Sequence, residues 1–306
     1  MPLLSVLIPT WNRVALVEEA VRSVNVWSDQ VEIVVVDNGS DLKIFSELKS
    51  KLQAFPNTCL YRNNTNLGMV KNWNKAISYA RGQWMSLLCS DDVYVDGGVA
   101  RLLDFLSGLR EPSLILQNGS IGRPAEFHPK GLDTVRNLAL PMTSGNCWSR
   151  QIVESVGGFD ERFEYSADAE FWYRIAGRFP VIEVRESFAR YRQHEDNYMW
   201  NTWRQDDFLE QNELLGRTVL GYMTDDKNRD ESKIQKELDQ KMWQTMTTIL
   251  DATTFREGKR ELFWRYFHLA KRRAQTAEQK KWLSAARGRF LIRELKRFLK
   301  GKSFSR

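Results

Sequence analysis

The sequence lacks the features that mark membrane-spanning and disulfide-stabilised proteins. No apolar run approaches the roughly 18 residues that a membrane span requires, and the N-terminal Met-Pro-Leu-Leu-Ser lacks the basic region of a signal peptide. The three cysteines, Cys59, Cys89 and Cys147, are odd in number and widely spaced, which disfavours a disulfide framework and a zinc site. We therefore expect a cytoplasmic globular protein.

Two common phosphate-binding loops are also missing. Neither Gly-x-Gly-x-x-Gly nor Gly-x-x-x-x-Gly-Lys-Ser/Thr follows any predicted strand, so a standard dinucleotide or P-loop site is disfavoured. A metal ion would then be the natural counter-ion for a bound diphosphate.

Acidic and basic residues are unevenly distributed along the 306-residue chain. Residues 1–204 carry 22 Lys and Arg against 24 Asp and Glu, whereas residues 205–306 carry 23 against 15. From Phe255 onward there are 17 basic and four acidic residues. A basic C-terminal part on a near-neutral body indicates an anionic partner, either lipid headgroups or nucleic acid.

Short apolar runs alternate with helical patterns through the first third of the chain. The pattern predicts strands at 3–8, 31–36, 58–62 and 84–89, and helices from Thr10 and at 42–52, 70–80 and 97–108. Such alternation predicts an α/β fold with a mostly parallel sheet and helices on both faces. Further on, the sequence predicts strands at 142–150 and 181–184 and a helix that Ser166 could cap.

Polar residues follow the predicted strands at their carboxyl ends. Because ligands of parallel sheets bind beyond those ends, we expect one rim to collect Pro9, Thr10, Asp37, the segment 66–68, and the pair Asp91 and Asp92.

Asp91 and Asp92 lie directly after the predicted strand 84–89. Adjacent carboxylates repel and raise each other's pKa unless a cation lies between them or solvent screens them, so the pair indicates a divalent-metal site. A solvated turn is the alternative, because Asp is common where strands stop. These two residues alone do not decide between a metal site and a solvated turn.

Asp168 falls in the first turn of a predicted helix. Taken by itself, such a carboxylate is usually explained by its favourable interaction with the helix dipole.

Residues 205–306 contain no proline and carry helical apolar stripes, which predicts a helical C-terminal region after a domain of residues 1–204. The last predicted helix combines Leu291, Ile292, Leu295, Phe298 and Leu299 with flanking Arg and Lys. It fits either a solvated helix packed on the body or a membrane-surface anchor.

Seven short motifs follow one another along the chain. They are Leu-Ile-Pro-Thr-Trp-Asn-Arg (7–13), Val-Val-Val-Asp-Asn-Gly-Ser-Asp (34–41), Asn-Leu-Gly (66–68), Ser-Asp-Asp (90–92), Gly-Gly-Phe-Asp-Glu (157–161), Ala-Asp-Ala-Glu-Phe-Trp-Tyr-Arg (167–174) and Tyr-Arg-Gln-His (191–194). With these motifs in this order, the chain resembles the family 2 glycosyltransferases of the GT-A fold over about residues 3–200. The part beyond residue 205 lies outside the shared pattern.

The resemblance implies a nucleotide-sugar donor held by Pro9, Thr10, Asp37, Asn66, Gly68, Lys71 and Asp91. Asp37 would accept a hydrogen bond from the base, usually uracil, and Asp91 would contact the ribose. Asp92 would bind Mn²⁺ or Mg²⁺, which neutralises charge on the departing nucleoside diphosphate. His194 aligns with a histidine that completes the metal or diphosphate site in some members.

Asp168 matches the general base of the inverting members, which takes the proton of the acceptor hydroxyl. The family usually has Glu-Asp at this point, whereas this chain has Ala167-Asp168. This departure leaves the base in place and puts the acceptor assignment in doubt. Trp148, Arg150 and Trp172 are candidates for the acceptor surface, since sugars stack on aromatic rings, although Trp172 also suits a core position.

The implied function is metal-dependent, inverting transfer of a sugar from a UDP- or dTDP-linked donor to a hydroxyl of a glycan or lipid-linked glycan, as in cell-surface polysaccharide synthesis. The basic tail would hold the protein at the inner face of the membrane. A nucleotide-sugar- or glycan-binding protein whose catalysis has lapsed is the alternative, which intact Asp92, Asp168 and His194 disfavour. Nucleic-acid binding is not expected, because it leaves the acidic rim unexplained.

Overall fold

The computed structural model describes residues 1–26, 28–117, 126–128, 143–192, 207–223, 231–254 and 260–302. The chain forms two compact units, one of residues 1–194 and 218–225 and the other of residues 195–217 and 226–306. The first unit contains the sheet, and the described part of the second is helical. The domain border between residues 204 and 205 stays a prediction.

The secondary structure alternates between strands and helices up to residue 107 and becomes helical toward the C-terminus. In chain order the elements are β1 Leu4–Thr10, α1 Val14–Val24, β2 Val31–Asp37, α2 Leu42–Leu52, β3 Thr58–Arg62, α3 Met69–Tyr79, β4 Trp84–Leu87, β5 Val93–Tyr94, α4 Gly98–Ser107, β6 Leu114–Gln117, β7 Glu126–His128, β8 Cys147–Ser149, α5 Arg150–Val156, α6 Ala167–Ala176, β9 Val181–Val184, β10 Ala189–Arg190, α7 Phe208–Met223, α8 Glu231–Thr254, α9 Arg260–Arg273 and α10 Ala277–Lys302.

Two sequence predictions need correction. The helix expected from Thr10 begins only at Val14, because Thr10 still belongs to β1 and Asn12 takes a left-handed backbone conformation with φ 54°. The strand expected over 142–150 is limited to Cys147–Ser149. Residue 142 lies outside the described ranges, and the chain from residue 143 to 145 forms a turn.

The main sheet has the strand order β3-β2-β1-β4-β8-β6-β9-β7. Its first four strands are mutually parallel, whereas β8 runs antiparallel to both β4 and β6. The register sets Thr10 beside Asp37 and Asp37 beside Arg62 at the carboxyl edge of these parallel strands. An α/β architecture with a large sheet flanked by helices is therefore confirmed.

The core of the first unit forms on β1 and β2, whose seven residues each are all buried. Runs of branched apolar residues favour such strands, because both faces are covered. Helix α1 contributes Val17, Ala20, Val21 and Val24 to the same cluster. These central strands are thus fixed by packing on both sides, and their carboxyl ends give a rigid edge on which a site can be built.

The second unit packs its helices through aromatic side chains. The rings of Phe263 in α9 and Phe290 in α10 are stacked with centroids 3.9 Å apart, and both residues are buried. Among the described residues, no helix has the length and apolar character needed to cross a membrane.

Candidate active site

The segment after β4 brings Asp91 and Asp92 to the carboxyl edge of the sheet. Leu88 N–H donates to the Leu7 carbonyl at 2.9 Å, which extends the β1–β4 pairing beyond the strand. The chain then turns, with Asp92 N–H donating to the Cys89 carbonyl at 2.9 Å, and enters β5 at Val93. The two carboxylates therefore lie in a fixed turn directly above the strand ends.

The two carboxylates have different surroundings. Asp91 is paired with the Arg13 guanidinium at 2.7 Å and keeps part of its surface exposed. Asp92 is only 2% exposed; one oxygen accepts from the Ser144 hydroxyl and the other from Arg192 N–H at 3.0 Å. Asp91 thus lies toward solvent and Asp92 at the base of the site.

Burial raises the pKa of Asp92 despite hydrogen bonds from Ser144 and Arg192, and the nearby charge of Asp91 raises it further. A carboxylate in this state is stabilised by a cation. Ligand atoms of Cys89, Asp91 and Asp92 lie within 4.8 Å of one another, and two carboxylates suit a hard divalent ion such as Mg²⁺ or Mn²⁺. Burial raises the pKa of the Cys89 thiol, so Cys89 is a poor ligand beside them. Asp91 and Asp92 fit a metal.

Asp168 lies in the first turn of α6, as predicted. Its carboxylate accepts from the Thr143 hydroxyl and from Ala169 N–H at 2.8 Å. Burial raises the pKa of Asp168 above the ordinary aspartate value, against the lowering effect of these hydrogen bonds. A raised pKa makes Asp168 a stronger proton acceptor when it is ionised. Ser166 occupies the N-cap position of α6, but its hydroxyl makes no cap hydrogen bond.

Thr143 and Ser144 are site residues that the sequence analysis missed. These consecutive hydroxyls bind the two key carboxylates, Thr143 donating to Asp168 and Ser144 to Asp92. Ser144 Oγ also accepts from Cys89 N–H at 3.0 Å. The only local signal in the sequence is the glycine at position 145, because glycine favours turns. In the structure Gly145 has φ 84° and lies in a turn and not in the predicted strand. One turn therefore connects the proposed metal ligand to the proposed base.

Asp37 and Thr10 lie side by side at the end of β1 and β2. Asp37 is fully buried, and its carboxylate accepts from the Ser40 hydroxyl, from Ser40 N–H at 3.1 Å and from Arg62 Nε at 3.4 Å. The Thr10 hydroxyl is buried and has no hydrogen-bond partner within the described part of the chain. In this state Asp37 shows no surface to a nucleotide base, whereas Thr10 has hydrogen-bonding capacity to spare. Pro9 precedes it in β1, beside Val36.

Asn66 and Gly68 join the same edge through Asn38. The Asn38 amide donates to Asn66 Oδ1 at 2.8 Å and to the Gly68 carbonyl at 3.1 Å, and Asn38 N–H donates to the Thr10 carbonyl at 2.8 Å. Gly68, with φ 87°, directly precedes α3 and has open space beside its Cα. Lys71 is exposed, and its amine lies 4.0 Å from Glu161.

The structure does not bring the predicted acceptor residues to the rim. Trp148 and Trp172 are fully buried, with ring centroids 5.5 Å apart in an aromatic cluster, so neither ring offers a face to a sugar. Arg150 lies at the edge formed by the amino ends of the parallel strands. β8 runs antiparallel to β4, and its last residue, Ser149, pairs with Trp84, the first residue of β4. Its guanidinium donates to the Gly82 carbonyl at 2.9 Å and the Ala80 carbonyl at 2.7 Å. His194 lies outside the described residues.

Residues 5–132 match the family model described as Glycosyl transferase family 2. Over this stretch the chain is similar to glycosyltransferase family 2. The match supports the family and the enzyme class predicted from the seven motifs, and the matched residues include β2 and the Asp91–Asp92 turn.

Known proteins similar to this glycosyltransferase include one curated relative and two solved structures. The GalNAc(5)-diNAcBac-PP-undecaprenol beta-1,3-glucosyltransferase of Campylobacter jejuni is 27% identical over 239 residues, which cover 73% of this chain and 72% of the relative. S. aureus TarS 1-349 in complex with UDP-GlcNAc has a TM-score of 0.59 at 16% identity, covering 95% of this chain and 89% of that 1-349 chain. The mannosyltransferase PcManGT from Pyrobaculum calidifontis, in complex with GDP-Man and Mn²⁺, has a TM-score of 0.57 at 16% identity, covering 96% and 87%. The two structures show the GT-A fold.

Proposed function

We propose that this glycosyltransferase transfers a sugar, with inversion, from a UDP- or dTDP-linked donor to a hydroxyl of a glycan or lipid-linked glycan. The observation that carries the proposal is the turn at Thr143 and Ser144, which binds Asp168 and Asp92 through adjacent side chains. Such a displacement needs a proton acceptor and a metal-binding carboxylate. In this structure, adjacent residues of one turn donate hydrogen bonds to both groups.

Asp168 is the proposed general base. Its burial raises its pKa, so the ionised carboxylate accepts the proton of the attacking hydroxyl more readily than an exposed aspartate would. Thr143 and Ala169 hold the carboxylate by donating to it. In an inverting reaction, this base must lie on the side of the sugar opposite the leaving nucleotide.

Asp92, with Asp91 beside it, is proposed to hold Mn²⁺ or Mg²⁺. The bound ion would neutralise negative charge on the departing nucleoside diphosphate. Because Asp91 is partly exposed and oriented by Arg13, we assign it to the ribose side of the donor and keep Asp92 as the metal ligand. The predicted contribution of His194 stays a prediction.

The nucleotide is proposed to bind along the edge formed by Pro9, Thr10, Asn66 and Gly68. The unpartnered Thr10 hydroxyl supports this position, as does the open space beside Gly68. Asp37 would read the base only after Ser40 or Arg62 releases its carboxylate. Lys71 lies on the first turn of α3, one turn from this edge.

The comparisons support the donor and acceptor classes. One structural neighbour is complexed with UDP-GlcNAc and another with GDP-Man and Mn²⁺, and the Campylobacter jejuni relative is named for an undecaprenol-linked glycan. We accordingly propose a cytoplasmic reaction at the inner face of the membrane, where a soluble donor can meet a lipid-linked acceptor.

Donor hydrolysis, with and without Mn²⁺, tests this proposal. The wild-type chain should release nucleoside diphosphate from a UDP- or dTDP-sugar only with the metal, and Asp168→Asn should bind the same donor but turn it over about 10²- to 10⁴-fold more slowly. Thermal shift with a set of nucleotide sugars identifies the donor, since a bound ligand raises the melting temperature. A wild-type chain that binds donor without any turnover would instead indicate a sugar-binding protein.

A further inference from the structure

Helix α10 has one side that is packed inside the second unit. Leu283, Ala286 and Phe290 are buried, and the Phe290 ring stacks on Phe263 at 3.9 Å. Arg289 on the same helix is paired with Asp251 of α8 at 3.0 Å. These contacts define the inner face of the helix.

Two large apolar side chains of α10 are left on its surface. Leu291 is 45% exposed and Ile292 is 57% exposed. Ile292 follows Phe290 by two residues, which places it about 200° further round the helix, on the side away from the packed face. One turn before Ile292, Gly288 has open space where a side chain would stand. The described part of the second unit therefore leaves this face uncovered.

The same face carries positive charge. Between Glu278 and Glu294 the sequence contains five basic residues and no acidic one. Lys280, Lys281 and Arg287 are exposed, and Arg287 precedes Leu291 by four residues, so the two side chains are neighbours on the helix surface. Cations thus flank the exposed Leu291 and Ile292.

We propose that this outer face of α10, formed by Lys281, Arg287, Gly288, Leu291 and Ile292, docks on an anionic lipid surface. Leu291 and Ile292 enter the boundary between headgroups and acyl chains, and Lys281 and Arg287 lie among the lipid phosphates. Charge complementarity and exposed aliphatic groups together favour this partner. The inference extends the proposed function, since it brings the enzyme to the surface that would carry a lipid-linked acceptor.

Two other occupants fit the face less well. A nucleic-acid backbone would use the cations but would gain nothing from Leu291 and Ile292. A second copy of the chain could cover the two aliphatic side chains, but it would bring Lys281 and Arg287 of one copy toward those of the other, where like charges repel.

Flotation of the full-length chain with vesicles tests the proposal. Binding to vesicles of phosphatidylcholine with phosphatidylglycerol, and not to phosphatidylcholine alone, is expected, with loss at high salt. The double substitution Leu291→Ser with Ile292→Ser should weaken binding by about tenfold or more, because two buried aliphatic groups are lost. Leu42→Ser is the matched control, since Leu42 is 70% exposed in α2 of the other unit, and it should float like the wild type.

The following outcomes overturn the proposal. Equal flotation of the wild type and the double variant removes the lipid role of Leu291 and Ile292. A wild-type dimer that the double substitution dissociates, with neither protein floating, assigns the face to a second copy. A wild-type chain that binds single-stranded RNA but neither vesicle assigns it to nucleic acid. Circular dichroism melting of both variants checks that they are folded, and donor hydrolysis without vesicles tests the active site separately.

Discussion

Glu32 and Asp92 are buried carboxylates at opposite ends of the same sheet. Glu32 lies near the amino end of β2 and accepts from the Ser5 hydroxyl at 2.6 Å, from Arg81 Nε at 2.8 Å and from Gly82 N–H at 3.2 Å. Asp92 lies beyond the carboxyl end of β4 and accepts from Ser144 and from Arg192 N–H. The two groups are nearly equally buried, and they differ in how fully their charge is compensated.

The difference appears in the direction of their pKa shifts. Burial is the largest influence on Glu32 and raises its pKa, but the hydrogen bonds from Ser5 and Arg81 and the charge of Arg81 together outweigh it, so the pKa is lowered. For Asp92 burial prevails and the pKa is raised. An ionised Glu32 therefore stabilises the fold, whereas an ionised Asp92 costs free energy unless a cation is bound. Carboxylates with raised pKa values in a cleft are candidates for function, and those with lowered values are more often structural.

Asp92→Ala should give the largest effect. Loss of the metal ligand should abolish detectable turnover, and Mn²⁺, which should raise the melting temperature of the wild type, should leave that of the variant unchanged. Substitution of the adjacent residue, Asp91→Ala, is the matched control. It should chiefly raise the KM for the donor. Mild and equal effects on turnover from both substitutions would mean that the pair is a solvated turn.

Glu32→Ala should act on stability instead. Removing the carboxylate leaves the buried Ser5 hydroxyl and Arg81 N–H short of an acceptor and the Arg81 guanidinium without its partner, which should lower the free energy of unfolding by about 3 kcal/mol. Urea denaturation measures this change, and the kcat of the folded variant should match the wild type. The exposed Glu47 in α2 provides the control, because Glu47→Ala should change neither quantity. A large loss of kcat in folded Glu32→Ala would contradict the comparison.

The stability that Glu32 provides should also depend on pH. Because its folded pKa lies below the ordinary value, its contribution is present above the ordinary glutamate pKa and is lost as the pH falls through the folded pKa. Melting temperatures of the wild type and Glu32→Ala should therefore converge as the sample is acidified through this range. A difference that stays constant down to the lowest pH at which both fold would show that packing, and not charge, causes the destabilisation.

Thr143→Val should give the smallest effect and the most specific one. The Thr143 hydrogen bond lowers the pKa of Asp168, so its loss should raise that pKa further. Activity requires ionised Asp168 and falls as the pH drops, which means that the acid limb of the kcat/KM profile should move to higher pH. Thr143→Ser retains a hydroxyl and should keep the wild-type limb. An unshifted limb in Thr143→Val would show that Asp168 is not the titrating base.

The sequence predicted the central parallel strands well because they are buried on both faces. β2 begins where predicted, since an apolar run such as Val31–Val36 is stable in the interior of a sheet. The edge that collects Thr10, Asp37 and Asp92 follows from parallel strands alone.

The errors concern segments whose position depends on strand direction and on distant contacts. Arg150 would have reached the carboxyl edge if β8 were parallel to β4, and nothing in the local pattern of residues 142–150 reveals that it is antiparallel. Trp148 and Trp172 have the chemistry of a sugar platform, but tertiary packing turns both into the core. Ser144 and Asp92 are 52 positions apart, and no periodicity connects residues at that distance.

The single peptide unit between Thr143 and Ser144 restricts how this enzyme can acquire a new acceptor specificity. Consecutive Cα atoms are about 3.8 Å apart, so any shift of this turn moves the partners of Asp168 and of Asp92 in concert. Substitution of Gly145 in this turn is also restricted, because a Cβ there would come within 2.7 Å of the Ala189 Cβ. A change of acceptor that required Asp168 to move would therefore also disturb the donor side, and new acceptor specificity is more easily acquired through loops that contact neither carboxylate.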